Sequence, residues 1–259
     1  MEIPFYQIDA FASKIFSGNP AGVCLLESWL PDDILLSIAA ENNLPETAFL
    51  VGHGDHYDLR WFTPAVEIDL CGHGTLASGH VIFEFVDRDL DRVVFGTKSG
   101  DLWVDRRNNL LFLDLPSLKP LPCPAPDDLA SMLGSSPSQV LSSRDLMVVF
   151  DDENTVRTFN PNLDAIGELD YFALIITAPG KSSDFVSRFF APGAGIPEDP
   201  VTGSAHCTLV PYWSERLGKK DLHAFQLSKR GGELFCTDKG DRVSIGGQAV
   251  TYLTGTIRI

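Results

Sequence analysis

The chain has 259 residues, 44% hydrophobic and 21% charged, the balance of a folded globular protein long enough for two domains. Its 35 acidic and 20 basic side chains give a formal net charge of −15, which argues against non-specific binding to nucleic acid or an anionic membrane. A small acidic substrate stays open, because a helix end can outweigh the global field at short range.

In chain order, Pro4–Phe11 reads as a first strand and Phe16–Gly22 as a loop rich in Gly, Asn and Pro. Val23–Leu26 is a short apolar strand. Pro31–Asn42 is an amphipathic helix, with Pro31 in the first turn and Asp32 and Asp33 at its positive end. Strands follow after Pro45 (Ala48–Val51) and over Tyr57–Phe62. The helix predicted from Gly74 to Phe85 is apolar on nearly all sides, as a buried helix must be. Arg92–Phe95, Leu102–Val104 and Leu110–Leu115 are strands, the last two joined at Asn108-Asn109. Prolines 120, 122, 124 and 126 make 119–126 the expected linker between domains 1–118 and 127–259. The second half then reads as a short helix (Asp127–Leu133), a strand (Asp145–Phe150), a helix (Asn162–Ile166) and strands at Tyr171–Thr177 and Ser187–Ala191. Gly203–Leu217 is a second central helix, which Pro211 should kink or break. Ala224–Leu227, Gly231–Thr237, Val243–Ile245 and Ala249–Ile259 read as an antiparallel meander, whose last strand could return to the first domain.

Two stretches look like copies of one another. Arg60, Phe62 and Pro64 match Arg188, Phe190 and Pro192 at one offset, since 188 − 60, 190 − 62 and 192 − 64 all equal 128. Ile68 and Ile196 keep it, and one inserted residue then brings Gly74-Thr75 onto Gly203-Ser204. So long a period means two similar domains rather than a solenoid. Each copy ends a strand and starts a helix, whose free N–H groups and dipole suit an anion such as a substrate carboxylate. The two starts are expected to face one cleft.

Several side chains nearby could carry chemistry. Glu46, at the mouth of a buried strand, would be partly desolvated, as a general acid or base is; otherwise it is a solvated turn residue. His73 could shuttle a proton or cap the helix. Cys71 could be a reactive thiol at a helix start or a small buried hydrophobe. Asp199 could face substrate or serve as a cap. Cys24, Cys71, Cys123, Cys207 and Cys236 show no C-x-x-C spacing, so neither a metal site nor a disulfide framework is predicted, and a reducing cytoplasm fits. No apolar run approaches the roughly 20 residues of a membrane span, and Met1–Tyr6 shows no signal-peptide pattern.

Six motifs carry a resemblance: Phe16–Ala21, Leu44–Phe49, Arg60–Pro64, Cys71–Leu76, Glu198–His206 and Arg230–Glu233. In order and at normal spacing over essentially the whole chain, they resemble the PhzF-like phenazine-biosynthesis family, in the branch that includes the animal phenazine biosynthesis-like domain proteins. The resemblance implies a diaminopimelate-epimerase-like α/β (α+β) fold of two pseudo-symmetric domains, each a curved sheet around a central helix. It implies an isomerase without cofactor, in which Glu46 moves a proton, His73 and Asp199 assist, and Asn19, Cys71, Gly72, Gly203 and Ser204 line the ligand. The expected partner is a small carboxylate substrate; a homodimer is one assembly left open, and the sequence does not fix the oligomeric state. Related epimerases use two cysteines, one per half. Cys71 stands where the first would be, but Pro200-Val201-Thr202 occupies the second turn, so a two-thiol mechanism is not expected. A racemase with Cys71 as one base and an inactive binding protein are the alternatives.

Overall fold

Each half is a mixed sheet in which antiparallel pairs alternate with parallel ones, and each parallel pair needs a crossover connection. The computed structural model describes residues 1–127 and 129–259. It divides into two units, Met1–Asp114 with Gly246–Ile259, and Leu115–Ile245, so that 119–126 lies within the second.

The first unit contains β1 (Glu2–Ala10), β2 (Asn19–Leu26), α1 (Asp32–Asn42), β3 (Glu46–His53), β4 (His56–Phe62), β5 (Glu67–Ile68), α2 (Gly72–Val81), β6 (Arg92–Gly96), β7 (Leu102–Arg107) and β8 (Leu110–Pro116). β1 and β2 pair antiparallel, β2 and β3 parallel, and β3 and β4 antiparallel. β4 then pairs with β5 antiparallel and with β6 parallel, and β7 and β8 follow antiparallel. The connections that close the parallel pairs contain α1 and α2. All of α2 except Gly72 and His80 is buried, which is why its residues show no polar face. At Gly79 a Cβ would lie 2.8 Å from Val104, so glycine lets helix and sheet touch. The helix passes into a π-helical turn, Ile82–Val86.

The second unit contains β9 (Leu121–Pro122), α3 (Leu129–Leu133), β10 (Gln139–Ser142), β11 (Leu146–Val149), α4 (Glu153–Thr158), α5 (Leu163–Gly167), β12 (Leu174–Pro179), β13 (Phe185–Ala191), β14 (Ile196–Asp199), α6 (Gly203–Leu217), β15 (Asp221–Gln226), β16 (Gly232–Asp238) and β17 (Arg242–Gly247). Asp128, in the helix predicted from Asp127, lies outside the described residues. The pairing from β10 to β16 repeats that from β1 to β7, step for step: antiparallel, parallel, antiparallel, a short antiparallel strand, parallel, antiparallel. The duplication is therefore one of topology as well as sequence.

Four expectations are corrected. Asn19–Gly22 is strand rather than loop, because it pairs with Gln7–Ala10. The last strand, β18 (Ala249–Arg258), does not continue a meander; it runs antiparallel along β1. Pro211 does not break α6: the carbonyl of Cys207, left without its helical donor, accepts the Leu118 N–H at 2.9 Å instead. Finally, the repeat is offset differently at the helix starts. Glu67 and Glu198 pair with the matched arginines, and α2 and α6 begin at Gly72 and Gly203, so 198 − 67 and 203 − 72 both equal 131. The three extra residues lie between Phe190 and Glu198, around the 3₁₀ turn Pro192–Ala194. Gly203 therefore matches Gly72 rather than Gly74, and Thr202 matches Cys71.

Candidate active site

In the first unit, five of the predicted site residues meet at the start of α2. Glu46 is the first residue of β3, and the parallel register sets it beside Ala21, two residues beyond Asn19 on β2. Cys71 is the N-cap of α2: its Sγ accepts the Gly74 N–H at 3.3 Å. Gly72 and His73 form the first turn. His73 Nε2 lies 2.8 Å from Glu46 Oε2, 3.9 Å from Cys71 Sγ, and its Nδ1 is 3.2 Å from the Asn19 amide. Glu46 Oε2 is buried and sits at ion-pair distance from the ring but off the line of its N–H, so it has no aligned hydrogen bond. Glu46, Cys71 and His73 are 8%, 5% and 6% exposed.

That burial sets the protonation states. Burial alone would lower the proton affinity of His73, but the neighbouring sulfur and the Glu46 carboxylate together hold it well above the ordinary histidine range. Burial and then the charge of Glu46 push the Cys71 thiol up, against the opposing pull of His73. The three groups are thus coupled: the charge of Glu46 raises the His73 imidazole and the Cys71 thiol alike.

The second unit brings Asp199, Gly203 and Ser204 together at the start of α6. Thr202 is the N-cap, and its hydroxyl donates to Asp199 Oδ2 rather than capping the helix. Gln226 completes the arrangement: its Oε1 accepts the Thr202 N–H at 2.9 Å, and its Nε2 donates to the Asp199 carbonyl at 2.8 Å. Buried His206 donates from Nδ1 to the Thr202 carbonyl at 2.8 Å, and desolvation drives its pKa down to about 4. Arg144, ion-paired with buried Asp145, places Nη2 3.3 Å from Ser204 Oγ. Gln226, Arg144 and His206 were not read from the sequence as site residues. Gln226 arrives only through the parallel register that sets it against Ser187, which no local pattern announces.

An arginine braces each strand that leads into a helix start. Arg60 forks onto Glu67 at 2.7 and 2.8 Å, and Arg188 onto Glu198 at 2.6 and 3.0 Å. Glu198 directly precedes Asp199, so this clamp fixes the approach to the second helix start.

The model of the phenazine biosynthesis-like protein family matches residues 8–255. The chain belongs to that family. It is 49% identical over 260 residues to an uncharacterized isomerase of Pseudomonas aeruginosa, with all of both chains covered. It is 39% identical over 289 residues to the human phenazine biosynthesis-like domain-containing protein, covering 99% of each. A crystal structure of a PhzF-family phenazine biosynthesis protein from Enterococcus faecalis superposes with a TM-score of 0.98 at 45% identity, covering 100% of both chains. The fold alone is shared with a hydroxyproline epimerase from Agrobacterium vitis, at a TM-score of 0.60 and 10% identity, over 99% of this chain and 91% of that one. The fold is thus the expected epimerase-like one, and the family is isomerase-like. Among the described residues no helix is long and apolar enough to cross a membrane.

Proposed function

We propose that the chain is an isomerase that moves a proton between two carbons of a small carboxylate-bearing substrate, with Glu46 as the single acid and base and no cofactor. The observation that carries this reading is the buried contact of Glu46 with His73. Glu46 takes the proton from one carbon and returns it to another. His73, beside it, offers a proton to a developing oxyanion. The neutral thiol of Cys71 supports a capping and lining role rather than a second base. Thr202, the residue that matches Cys71, carries no thiol, which speaks against a cysteine pair.

The substrate carboxylate is assigned to the start of α6. There the N–H groups of Gly203 and Ser204 begin a fifteen-residue helix, and the Arg144 guanidinium adds positive charge. Asp199, held by Thr202, is the polar group that orients the substrate.

The test is a screen of small cyclic and amino-acid carboxylates in deuterated water. A substrate should take up solvent deuterium on carbon in the presence of the protein alone. Uptake that depends on an added organic cofactor, or carboxylates that bind with no exchange across the whole panel, would count against the reading.

A further inference from the structure

We propose that Glu46, Cys71 and His73 also form a binding site for a soft divalent cation of the zinc class, and that occupation of this site switches the proton shuttle off. The switching, though not the binding, rests on Glu46 being the acid and base.

A carboxylate oxygen, a sulfur and an imidazole nitrogen lie within 4.8 Å of one another, all on buried residues. The separations from His73 Nε2 are 2.8 Å to Glu46 Oε2 and 3.9 Å to Cys71 Sγ. Around a tetrahedral zinc ion with ordinary bond lengths, the ligand–ligand edges are roughly 3.3–3.6 Å. The two separations fall on either side of that range, one shorter and one longer. Glu46 Oε2 is a buried acceptor without an aligned hydrogen bond, so it has lone-pair capacity to give. Three protein donors with a fourth position open is the arrangement of a zinc site that admits a further ligand. Sulfur and imidazole favour zinc, cobalt or copper over magnesium or calcium. The C-x-x-C criterion misses such a site, because the third donor comes from β3 rather than from near Cys71 in the sequence.

Charge also balances. The thiol proton and the imidazolium Nε2 proton leave to solvent, no electrons move, and the carboxylate and thiolate neutralise the dication. The cation takes the carboxylate oxygen that would otherwise accept the substrate proton, so a loaded site cannot shuttle.

The experiment titrates the metal-stripped full chain with cobalt(II). The expected result is one equivalent bound, with a thiolate-to-cobalt charge-transfer band and the visible bands of a four-coordinate ion. Cys71→Ser should abolish the charge-transfer band. His73→Gln should weaken binding by at least about tenfold, the smallest loss typical of removing even an outer-shell partner. Cys123→Ser, at a half-buried thiol outside the site, should change neither. X-ray absorption of the zinc-loaded wild-type chain needs no variant to fold, and should show one sulfur at about 2.3 Å with nitrogen and oxygen at about 2.0–2.2 Å. A zinc shell without sulfur, or a band that survives Cys71→Ser, overturns the site. Zinc should also stop deuterium uptake, and a chelator should restore it. Undiminished uptake at saturating zinc overturns the switching alone. Zinc bound as described, with no uptake by the metal-free chain on any substrate, instead sinks the isomerase reading and leaves the site standing.

Discussion

The starts of α2 and α6 occupy equivalent places in two copies of one topology, yet they hold protons in opposite ways. At α2 the cap is a thiol, and that sulfur together with a carboxylate from β3 raises the proton affinity of the adjacent histidine. At α6 the cap is a hydroxyl turned toward Asp199, and the nearby histidine is sealed in, neutral, and committed to a backbone carbonyl. Duplication supplied two helix starts able to hold an anion. In our account only the first acquired a base beside it, so the proton chemistry is assigned to the start of α2 and carboxylate binding to the start of α6.

The sharpest way to break this division is to mutate each half and ask which kinetic constant moves. Glu46→Gln keeps shape and should lower the exchange rate by about 10²–10⁴-fold, with carboxylate affinity within a few-fold. Ser204→Asp favours the helix dipole, so the fold should hold, but it sets a negative charge at the position we assign to the substrate carboxylate. Its KM should rise by about tenfold or more while kcat changes little. If Ser204→Asp instead abolished kcat and left KM alone, the two halves would not divide the work as described.

The paired arginine clamps sharpen the comparison energetically. Arg188 is 8% exposed, also donates to the carbonyl of Phe159, and is the sole cation on Glu198 among the described residues. Glu67, by contrast, keeps Lys98 at 2.6 Å if Arg60 is removed. Arg188→Met should therefore cost about 3 kcal/mol in denaturant unfolding, and Arg60→Met about 1.5 kcal/mol. Equal losses would mean that Lys98 does not substitute. Arg60, chiefly by hydrogen bonding, depresses the Glu67 pKa to about 2. Its contribution is thus complete above pH 4.5 and fades as pH falls toward 2.

A third contrast concerns the first turns. Gly74 has no room for a methyl group: its Cβ would meet fully buried Trp61 at 2.9 Å and Cys71 Sγ at 3.0 Å. The matching residue in α6 is Ala205, since 205 − 74 is also 131. Gly74→Ala should destabilise by about 1–3 kcal/mol despite the better helix propensity of alanine, and Ala205→Gly by about 1 kcal/mol. A stabilised Gly74→Ala variant would show that the indole yields.

The subtlest contrast is spectroscopic. In an NMR titration His206 should stay neutral down to about pH 4, while His73 should stay protonated well above its ordinary 6.5. The signs of their stability effects differ. Acidification from 6.5 toward 4 costs stability at His206, whose unfolded form binds the proton more readily. His73 contributes stability below 6.5 that is lost as pH rises through its folded pKa. His73 titrating near 6.5 would mean that Glu46 does not hold it.

What could be read from the sequence was what local chemistry decides. α1 follows from Pro31, Asp32 and Asp33, and α6 from Gly203 and the left-handed Gly218 that closes it. Glu46 stood out because Pro45 precedes a buried strand. What depends on distant partners stayed hidden. β10 and α4 are short, four and six residues, and Glu153 in α4 is held by the N–H of Lys181, far along the chain. The extra residues that shift the second helix start sit in the turn before β14, where no residue type marks them. Gln226 enters the second site solely by sheet register.

The most direct test of the central claim is the order of two rates, measured on one substrate that passes the deuterium screen. A single carboxylate shuttle predicts that Glu46→Gln loses at least about 10²-fold in exchange, while Cys71→Ser, which only removes a cap and a lining thiol, stays within a few-fold of the parent. The reverse order, with Cys71→Ser crippled and Glu46→Gln active, would contradict it and assign the proton to sulfur.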